Sequence, residues 1–475
     1  MISRRRKPRG SAMMIALILI VFVLPIVTVL VKSVFRQSKT NFQERNMKTA
    51  RVVSNDIMIN FMRVHSGNYY EDHYDTRFML SGDVSNTFLS AGNSGVGTVG
   101  YVTGASAVGK YFYVQSTATL VSGADQTVWG KKGMVGVIGF ENDLTRFGMI
   151  FMNDAIFRSN SFYAGKTLDT SVYAADRLYL CGNSTAGDCA GNVAPGPGMT
   201  LTNGPYIAAN HLHLGSNNTL AAGTPAYYPW GPGVRKDGMG SYLGPTYAFT
   251  PEVSLVAPNL TYYMTRYNFL VSPASPTFNV LEFQTGGANG RVYFPNAGYT
   301  FDVPTNFSPQ GVPSAVIVST GMDLTITGDA TVRGRFTIVC LGCNVTVLND
   351  LTYHQTPSPL PVAGCGLCAT PNDALAVLTD GQIRFESSAT DTTPAEQTVA
   401  GLFYSSTGQL MKQSPDATWA NLKVYGTLVG FMGPDPAPGN ATQLSVRQDP
   451  NLRYYLPPML PERPVMVTRA NRAWW

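Results

Sequence analysis

The sequence carries little charge. Asp, Glu, Lys and Arg make up 13% of the 475 residues, against roughly a quarter in an average soluble domain. The formal net charge is +5, but five of the 34 basic residues cluster before Gly10, and the remaining ones balance the 29 acidic residues. A chain that is neutral beyond Gly10 presents no strongly basic surface, so we expect no binding to nucleic acid.

Familiar catalytic motifs are missing as well. The sequence contains no phosphate-binding glycine loop, no Gly-x-Ser-x-Gly and no His-Glu-x-x-His. Two groups of titratable residues remain, the run YEDHYD (70–75) and the pair His211 and His213 on a predicted strand. The run is typical of a solvated linker, and the histidines have no Asp or Cys close by in the sequence. We therefore expect no enzymatic activity and no cofactor.

The first apolar run lacks the features of a cleaved secretory signal. Residues 12–31 are interrupted only by Pro25 and Thr28, and a helix of that length spans roughly 30 Å, the thickness of a hydrocarbon core. A cleaved signal has an apolar segment of about 7–15 residues followed by an Ala-x-Ala-like site. Here Lys32 and Ser33 follow instead. The run is predicted to stay on the chain as a transmembrane helix.

The residues after this run continue the helix. Residues 38–65 contain neither Gly nor Pro, and apolar side chains recur there on one helical stripe. The stripe consists of Val53, Ile57, Phe61 and Val64. This pattern predicts one helix from Ala12 to Val64, about 80 Å long, kinked at Pro25. Its first half would lie in a membrane, and its second half would pack beside other stems or against the chain's own head.

The N-terminus resembles that of the type IV pilin superfamily. A basic leader ends in Gly10, Ser11 follows, and a long helix begins at once, as in a class III signal. In that family a prepilin peptidase cuts after the Gly, so the resemblance implies cleavage between Gly10 and Ser11. The fifth residue after the cut is Ile15, where major pilins carry a Glu that pairs with a neighbouring subunit. X-type minor pilins and K-type pseudopilins of type II secretion also lack this Glu and are placed at a filament tip.

Six cysteines fall into two groups. Cys181 and Cys189 flank a short loop that predicts a small disulfide in an oxidising compartment. The other four form two C-x2-C motifs separated by 21 residues: Cys340, Cys343, Cys365 and Cys368. This spacing fits either two disulfides that cross-link the motifs or a structural zinc ion, with free thiols as a third alternative. In either bonded form the four would join one strand corner to the loop TPSPLPVAG (356–364). A redox-catalytic role is not expected, because neither pair precedes a helix.

From Gly67 onward the pattern is that of β-strands. Apolar residues alternate at period two in DLTITGDATVRGRFTIVCLGCNVTVLNDLTY (323–353), and the runs are short and bounded by Gly. Leu324 and Ile326, Phe336 and Ile338, Val345 and Val347, and Leu351 and Tyr353 are expected to face one core. Hairpin turns are scarce, and about 20 residues separate equivalent positions, within the range of repeat units. A β-solenoid is therefore favoured over a β-sandwich.

The predicted organisation is a leader (1–10), an N-terminal helix (11–66) with its transmembrane span (12–31), a small pilin-like β region (67–150), a β-solenoid (151–461) and a C-terminal tail (462–475). Residues 150–461 are similar to β-solenoid bodies of unknown function that follow class III signals in bacterial envelope proteins. The motifs that carry this similarity are SVYAADRLYLCGN (171–183), NDALAVLTDGQIRF (372–385) and DPNLRYYLPPMLP (449–461). The polar His-Thr-Asn step of that family is Ala174, Ala175 and Asp176 here.

Together the two resemblances imply a minor-pilin-like structural subunit. It would sit in the bacterial inner membrane through one helix and hold its head in the periplasm or on the cell surface, at or near the tip of a type IV pilus or type II secretion pseudopilus. The implied partners are the inner membrane, other pilins or pseudopilins and prepilin peptidase. Aromatic turns such as YYPWGPG (227–233) add an adhesive role toward surface glycans or a host cell. The alternative is an envelope scaffold or adhesin outside any filament.

Overall fold

The structure, a computed structural model, describes part of the chain. The described residues are 10–64, 86–90, 93–102, 111–122, 128–158, 167–181, 200–208, 211–214, 219–220, 226–227, 234–236, 242–243, 257–284, 290–304, 313–327, 330–354, 367–370, 372–386, 396–406, 421–430, 443–453, 455–461 and 463–467. Within 86–141 the description is limited to the backbone. The predicted mainly-β fold with a long N-terminal helix is confirmed.

One helix, α1 (Gly10–Val64), precedes the strands. The strands, in chain order, are β1 (Asn86–Ser90), β2 (Asn93–Val102), β3 (Tyr111–Ser122), β4 (Val128–Glu141), β5 (Met149–Phe151), β6 (Ala155–Arg158), β7 (Thr167–Asp169), β8 (Val172–Ala174), β9 (Arg177–Cys181), β10 (Thr200–Thr202), β11 (Tyr206–Ala208), β12 (His211–Leu214), β13 (Thr219–Leu220), β14 (Ala226–Tyr227), β15 (Val234–Lys236) and β16 (Tyr242–Leu243). They continue with β17 (Phe269–Val271), β18 (Val280–Gln284), β19 (Arg291–Phe294), β20 (Tyr299–Asp302), β21 (Ser314–Thr320), β22 (Leu324–Ile326), β23 (Ala330–Val332), β24 (Arg335–Leu341), β25 (Val345–Leu348), β26 (Leu351–Tyr353), β27 (Ala374–Thr379), β28 (Ile383–Glu386), β29 (Glu396–Ser405), β30 (Asn421–Gly430), β31 (Gln443–Arg447) and β32 (Arg463–Val467). Short 3-10 turns lie at Asp143–Thr145, Leu260–Thr265, Pro276–Phe278 and Pro450–Arg453.

The helix lies against a small antiparallel sheet. Its strand order is β1-β2-β3-β4-β32, and α1 is next to β2, β3 and β4. The predicted continuous helix to Val64 is confirmed, and it continues through Pro25. The apolar stripe predicted in its second half lies on residues whose side chains are outside the described set.

The last strand comes from the segment that the sequence assigned to a C-terminal tail. Arg463–Val467 pairs antiparallel with β4, from Arg463 opposite Glu141 to Val467 opposite Val137. Pro464 is compatible with this strand because β32 is at the edge of the described sheet, where prolines are tolerated in strands. The tail prediction is therefore wrong for 463–467, and residues 468–475 lie outside the described residues.

The remaining strands pair mostly in parallel, three at a time. Strands β7, β8 and β9 pair with β10, β11 and β12 respectively, and these pair onward with β13, β14 and β15. The same order recurs in β21, β22 and β23, which pair with β24, β25 and β26. Asn344 and Asp323, bonded across one such step, are 21 residues apart, and Thr202 and Asp169 are 33 apart.

The two groups of strands meet out of chain order. In the largest sheet the order is β14-β11-β8-β5-β30-β29-β27-β24-β21-β17. The early strand β5 thus pairs in parallel with the late strand β30, with Met149 opposite Leu428. The hydroxyl of Thr427 donates to the carbonyl of Phe147 at 3.0 Å across this seam. One continuous apolar core therefore runs through both groups.

The core consists of the alternating residues that the sequence predicted. All eight side chains named above for the 323–353 region are at most 3% exposed. Strand β29 changes its partner strand at a glycine. Its residues before Gly401 pair with β26, and those after Gly401 pair with β27. Gly401 and Gly426 stand opposite each other with φ of 146° and 148°. A Cβ on Gly426 would lie 1.8 Å from the carbonyl oxygen of Gly401, so no other residue fits there.

A proline-rich segment ties the core to the small sheet. Residues 455–461 contain prolines, which have no N–H to donate, and their carbonyl oxygens accept hydrogen bonds from side chains of the core. The bonds are Asn142 Nδ2 to Pro461 O (2.6 Å), Tyr263 Oη to Met459 O (2.8 Å), Arg335 Nε to Leu456 O (2.9 Å) and Thr337 Oγ1 to Pro458 O. This segment, which we call the strap, leads directly into β32.

Two buried carboxyl groups lie next to this core. Burial raises the pKa of Asp373 to about 7, although Gly334 N donates to its Oδ1 at 2.8 Å. Burial also raises the pKa of Asp449 to about 6, against hydrogen bonds from the backbone N–H groups of Ala369 and Asn451. The pKa of Tyr353 is raised well above 10, mainly by burial and then by the nearby Asp449 and Asp373 charges. Both carboxyl groups therefore keep their protons to a higher pH in the folded state than in the unfolded chain.

The substitution Asp373→Asn is expected to weaken the pH dependence of stability. The folded state holds the Asp373 proton up to about pH 7, whereas an unfolded Asp releases it near pH 4. Its stabilising contribution is complete below pH 4 and disappears as the pH rises through 7, at no more than about 1.4 kcal/mol per pH unit. Asn keeps the acceptor for Gly334 and cannot ionise. Urea unfolding of the full chain in detergent from pH 4 to 8 measures the slope.

The matched control is Asp302→Asn, which changes a carboxylate that is 69% exposed and ion-paired with Arg291 at 2.9 Å. This variant should keep the wild-type slope. An unchanged slope in Asp373→Asn, or the same loss in both variants, contradicts the assignment.

Candidate functional site: the exposed apolar helix

The first half of α1 is an apolar surface that no other described part of the chain covers. Among the described residues, the stretch Met13–Arg45 is long and apolar enough to cross a membrane, and its side chains are exposed. The large apolar side chains on it are Met13, Met14, Ile15, Leu17, Ile18, Leu19, Ile20, Val21, Phe22, Val23, Leu24, Ile26, Val27, Val29, Leu30, Val31, Val34, Phe35 and Phe42. Each gains about 1.5–3 kcal/mol when it leaves water, so this surface requires a cover.

The polar groups within residues 13–31 are compatible with a hydrocarbon environment. The hydroxyl of Thr28 donates to the carbonyl of Leu24 at 2.7 Å, so it needs no partner outside its own helix. Pro25 has no N–H, so the carbonyl of Val21 lacks the hydrogen bond that it would otherwise accept within the helix. Transmembrane helices tolerate such a proline when neighbouring groups satisfy the carbonyl.

Basic residues begin after Val31, where the uncharged part of the apolar stretch ends. Lys32 follows Val31 directly, Arg36 and Lys39 come next, and all three side chains are exposed. Farther along are Arg45, Lys48 and Arg51, also exposed. Glu44 is the single acidic residue among the described side chains of α1. The helical spacing of Lys32, Arg36 and Lys39 is the sequence signal that distinguishes them from the others.

The predicted leader junction lies at the start of the helix. Gly10 is the first helical residue and Ser11 is the second; residues 1–9 and the Ser11 side chain are outside the described set. Ile15, in place of a pilin Glu, is 60% exposed on the apolar surface. The cleavage between Gly10 and Ser11 stays a prediction.

The structure joins Cys340 to Cys343 in a disulfide. Both residues are buried, and the bond closes the turn after β24. It differs from the predicted cross-link, because it lies within one C-x2-C motif and does not join this corner to the second motif. Cys368 is also disulfide-bonded, while Cys365, Cys189 and the side chain of Cys181 lie outside the described residues.

Zinc and this disulfide exclude each other. A zinc ion binds thiolates, and the bond consumes those of Cys340 and Cys343. The oxidised form therefore does not fit the zinc alternative at these four cysteines. No group of three or more His, Cys, Asp or Glu side chains that could hold a metal occurs in the described part of the chain. His211 and His213 lie on β12, and their side chains are outside the described set. The run YEDHYD (70–75) lies wholly outside the described residues.

Comparisons with known proteins give a distant likeness among solved structures. No family model matches the chain, and no curated protein matches it. Among solved structures, the competence-associated pilin ComZ from Thermus thermophilus is similar at 12% identity, with a TM-score of 0.35, over 82% of this chain and 88% of that one. A TM-score of this size carries no argument about fold or function.

Two arginines inside the apolar stretch should prevent stable membrane insertion. In the variant Val21→Arg/Leu24→Arg, each arginine near the helix centre costs about 3 kcal/mol. We expect this variant to be released from membranes by alkaline carbonate, whereas the wild type stays in the pellet.

The matched control is Met47→Arg/Val52→Arg. It adds the same two charges at positions that are also exposed on α1, at 48% and 58%, but lie beyond the apolar stretch. It should be retained like the wild type. Equal release of both variants, or of neither, would show that the stretch is not what anchors the chain.

Proposed function

We propose that this chain is a minor-pilin-like structural subunit held in a membrane by α1. The observation that carries the proposal is the uncovered apolar stretch Met13–Arg45, continuous with a helix that runs on to lie against a small sheet. A simple anchor needs only the stretch itself. A helix that crosses the membrane and continues beside its own sheet suits a subunit whose stem docks among similar stems.

The head is best described as a β-solenoid. Its support is the recurring three-strand unit, each strand pairing in parallel with its equivalent in the next unit, and the single core through both groups. Such a stack has open ends and displays its turns outward. The proposed location of this head is the periplasm or the cell surface, at or near the tip of a type IV pilus or a type II secretion pseudopilus.

The tip position rests on Ile15. In the filament family that the N-terminus resembles, repeated stacking uses a Glu at this place, and here the position is apolar. An adhesive role for the head is an extension of the same proposal; Tyr267 and Tyr299, at 41% and 49% exposed, are aromatic surfaces of the kind that stack on sugars. The alternative is a scaffold or adhesin that never enters a filament and does not need its leader removed.

Replacing Gly10 should block maturation. In Gly10→Leu the bulky side chain would keep the peptidase from cutting before Ser11, so the chain should retain its leader and disappear from the sheared surface fraction. N-terminal mass spectrometry of the membrane protein identifies the first residue. The control is the wild-type chain in a host without the peptidase, which should show the same uncut N-terminus. Normal processing or normal function of Gly10→Leu would support the scaffold alternative.

An exported head should carry oxidised cysteines. Alkylation of the purified full chain without reductant, followed by peptide mass spectrometry, should find Cys340 and Cys343 blocked as a disulfide. Reduction before alkylation is the control and should free both. Stoichiometric zinc together with alkylation of all four C-x2-C thiols would contradict this and restore the zinc alternative.

A further inference from the structure

The first three basic residues after Val31 lie on one side of α1. Lys32, Arg36 and Lys39 follow the spacing i, i+4 and i+7, so their side chains share a face within roughly 60° of the helix circumference. All three are exposed. We call them the basic stripe. Because an α-helix rises 1.5 Å per residue, the stripe covers about 10 Å along the axis, starting where the apolar residues end.

The position of the stripe matches the depth of lipid headgroups. The headgroup layer adds about 5–8 Å on each side of the hydrocarbon core. With Val31 at the edge of that core, Lys32 and Arg36 fall within the layer, and Lys39 lies just outside, within one Debye length of the surface. Long basic side chains at such a boundary extend toward phosphate groups while their methylene stems stay on apolar surface.

The neighbouring residues agree with a lipid surface. Phe35, between Lys32 and Lys39 in the sequence and beside the stripe on the helix, is 72% exposed. Glu44, the single acid among the described side chains of α1, lies about a third of a turn away from the stripe. A second copy of this helix packed in register would bring its own Lys32, Arg36 and Lys39 to the stripe, which are like charges. Charge complementarity favours an anionic surface, and the described side chains of α1 do not supply one.

We propose that Lys32, Arg36 and Lys39 form a binding site for anionic phospholipid headgroups at the membrane boundary of α1. The proposal rests on the proposed function in one respect, namely that α1 spans the membrane. It adds a preference for the lipids around the stem, with each basic residue near the surface raising the affinity for an anionic lipid roughly fivefold.

The test uses the full chain in phosphatidylcholine vesicles with trace spin-labelled lipid. The fraction of labelled phosphatidylglycerol held rigid by the protein, compared with that of labelled phosphatidylcholine, gives the relative association constant. We expect the wild type to prefer phosphatidylglycerol at least fivefold at low salt, the effect of a single basic residue, and about 1 M salt to remove most of that preference. The variant Lys32→Gln/Arg36→Gln/Lys39→Gln should bring the ratio close to one.

The matched control is Arg45→Gln/Lys48→Gln/Arg51→Gln, which removes the same number of charges about 20 Å or more beyond Lys32. It should keep the wild-type ratio. No lipid preference in the wild type, or an equal loss in both variants, overturns the proposal. So does a stripe variant that keeps its lipid preference but no longer associates with pilin subunits, since the stripe would then be a protein contact. A chain that holds no lipid of either kind rigid contradicts membrane spanning, and thereby the proposed function itself.

Discussion

The apolar surface of α1 is the constraint on which the rest depends. Residues 13–31 are too apolar to remain in water and are covered by nothing else in the described part of the chain. A membrane would cover this surface in a single subunit, and neighbouring stems would cover it in the proposed assembly. The proposed function therefore uses the same helix as both an anchor and a docking surface. Basic residues at its boundary fix how far it can sink, because a charged side chain at the bilayer centre is costly.

The fold beyond the helix is organised to hold a large head on this stem. The small sheet lies against α1, and the strap brings the end of the chain back to it as β32. Side chains from well-separated parts of the core donate to the strap carbonyls. The head and the sheet are thus connected by two chain segments that run side by side, since Asn142 donates to Pro461 O and Arg463 lies opposite Glu141.

Local patterns were enough to predict part of this fold. The helix to Val64 and the inward residues of 323–353 follow from periodicity and are confirmed. The seam between β5 and β30, and the return of Arg463–Val467 to β4, involve residues far apart in the chain. Periodicity describes which side of a strand is buried and says nothing about which distant strand is its neighbour. A proline such as Pro464 weighs against a strand unless the strand lies at a sheet edge, and the sequence does not show that it does.

The sequence likewise predicted only part of the candidate site. The apolar stretch was clear from composition, and the basic stripe was available from the i, i+4, i+7 spacing of Lys32, Arg36 and Lys39. The disulfide pairing was not, because C-x2-C spacing fits zinc, cross-links and closed turns equally well. Cys340 pairs with Cys343 since the turn after β24 brings them together, which depends on a strand end that spacing alone does not locate.

Protease digestion of spheroplasts tests the central claim most directly. If α1 crosses the inner membrane with the head outside the cytoplasm, added protease should degrade the head and leave a membrane-protected fragment that contains the apolar stretch. Opening the spheroplasts should change nothing further in the head. A head that stays intact until the membrane is broken, or an apolar stretch that is digested along with it, would contradict the account.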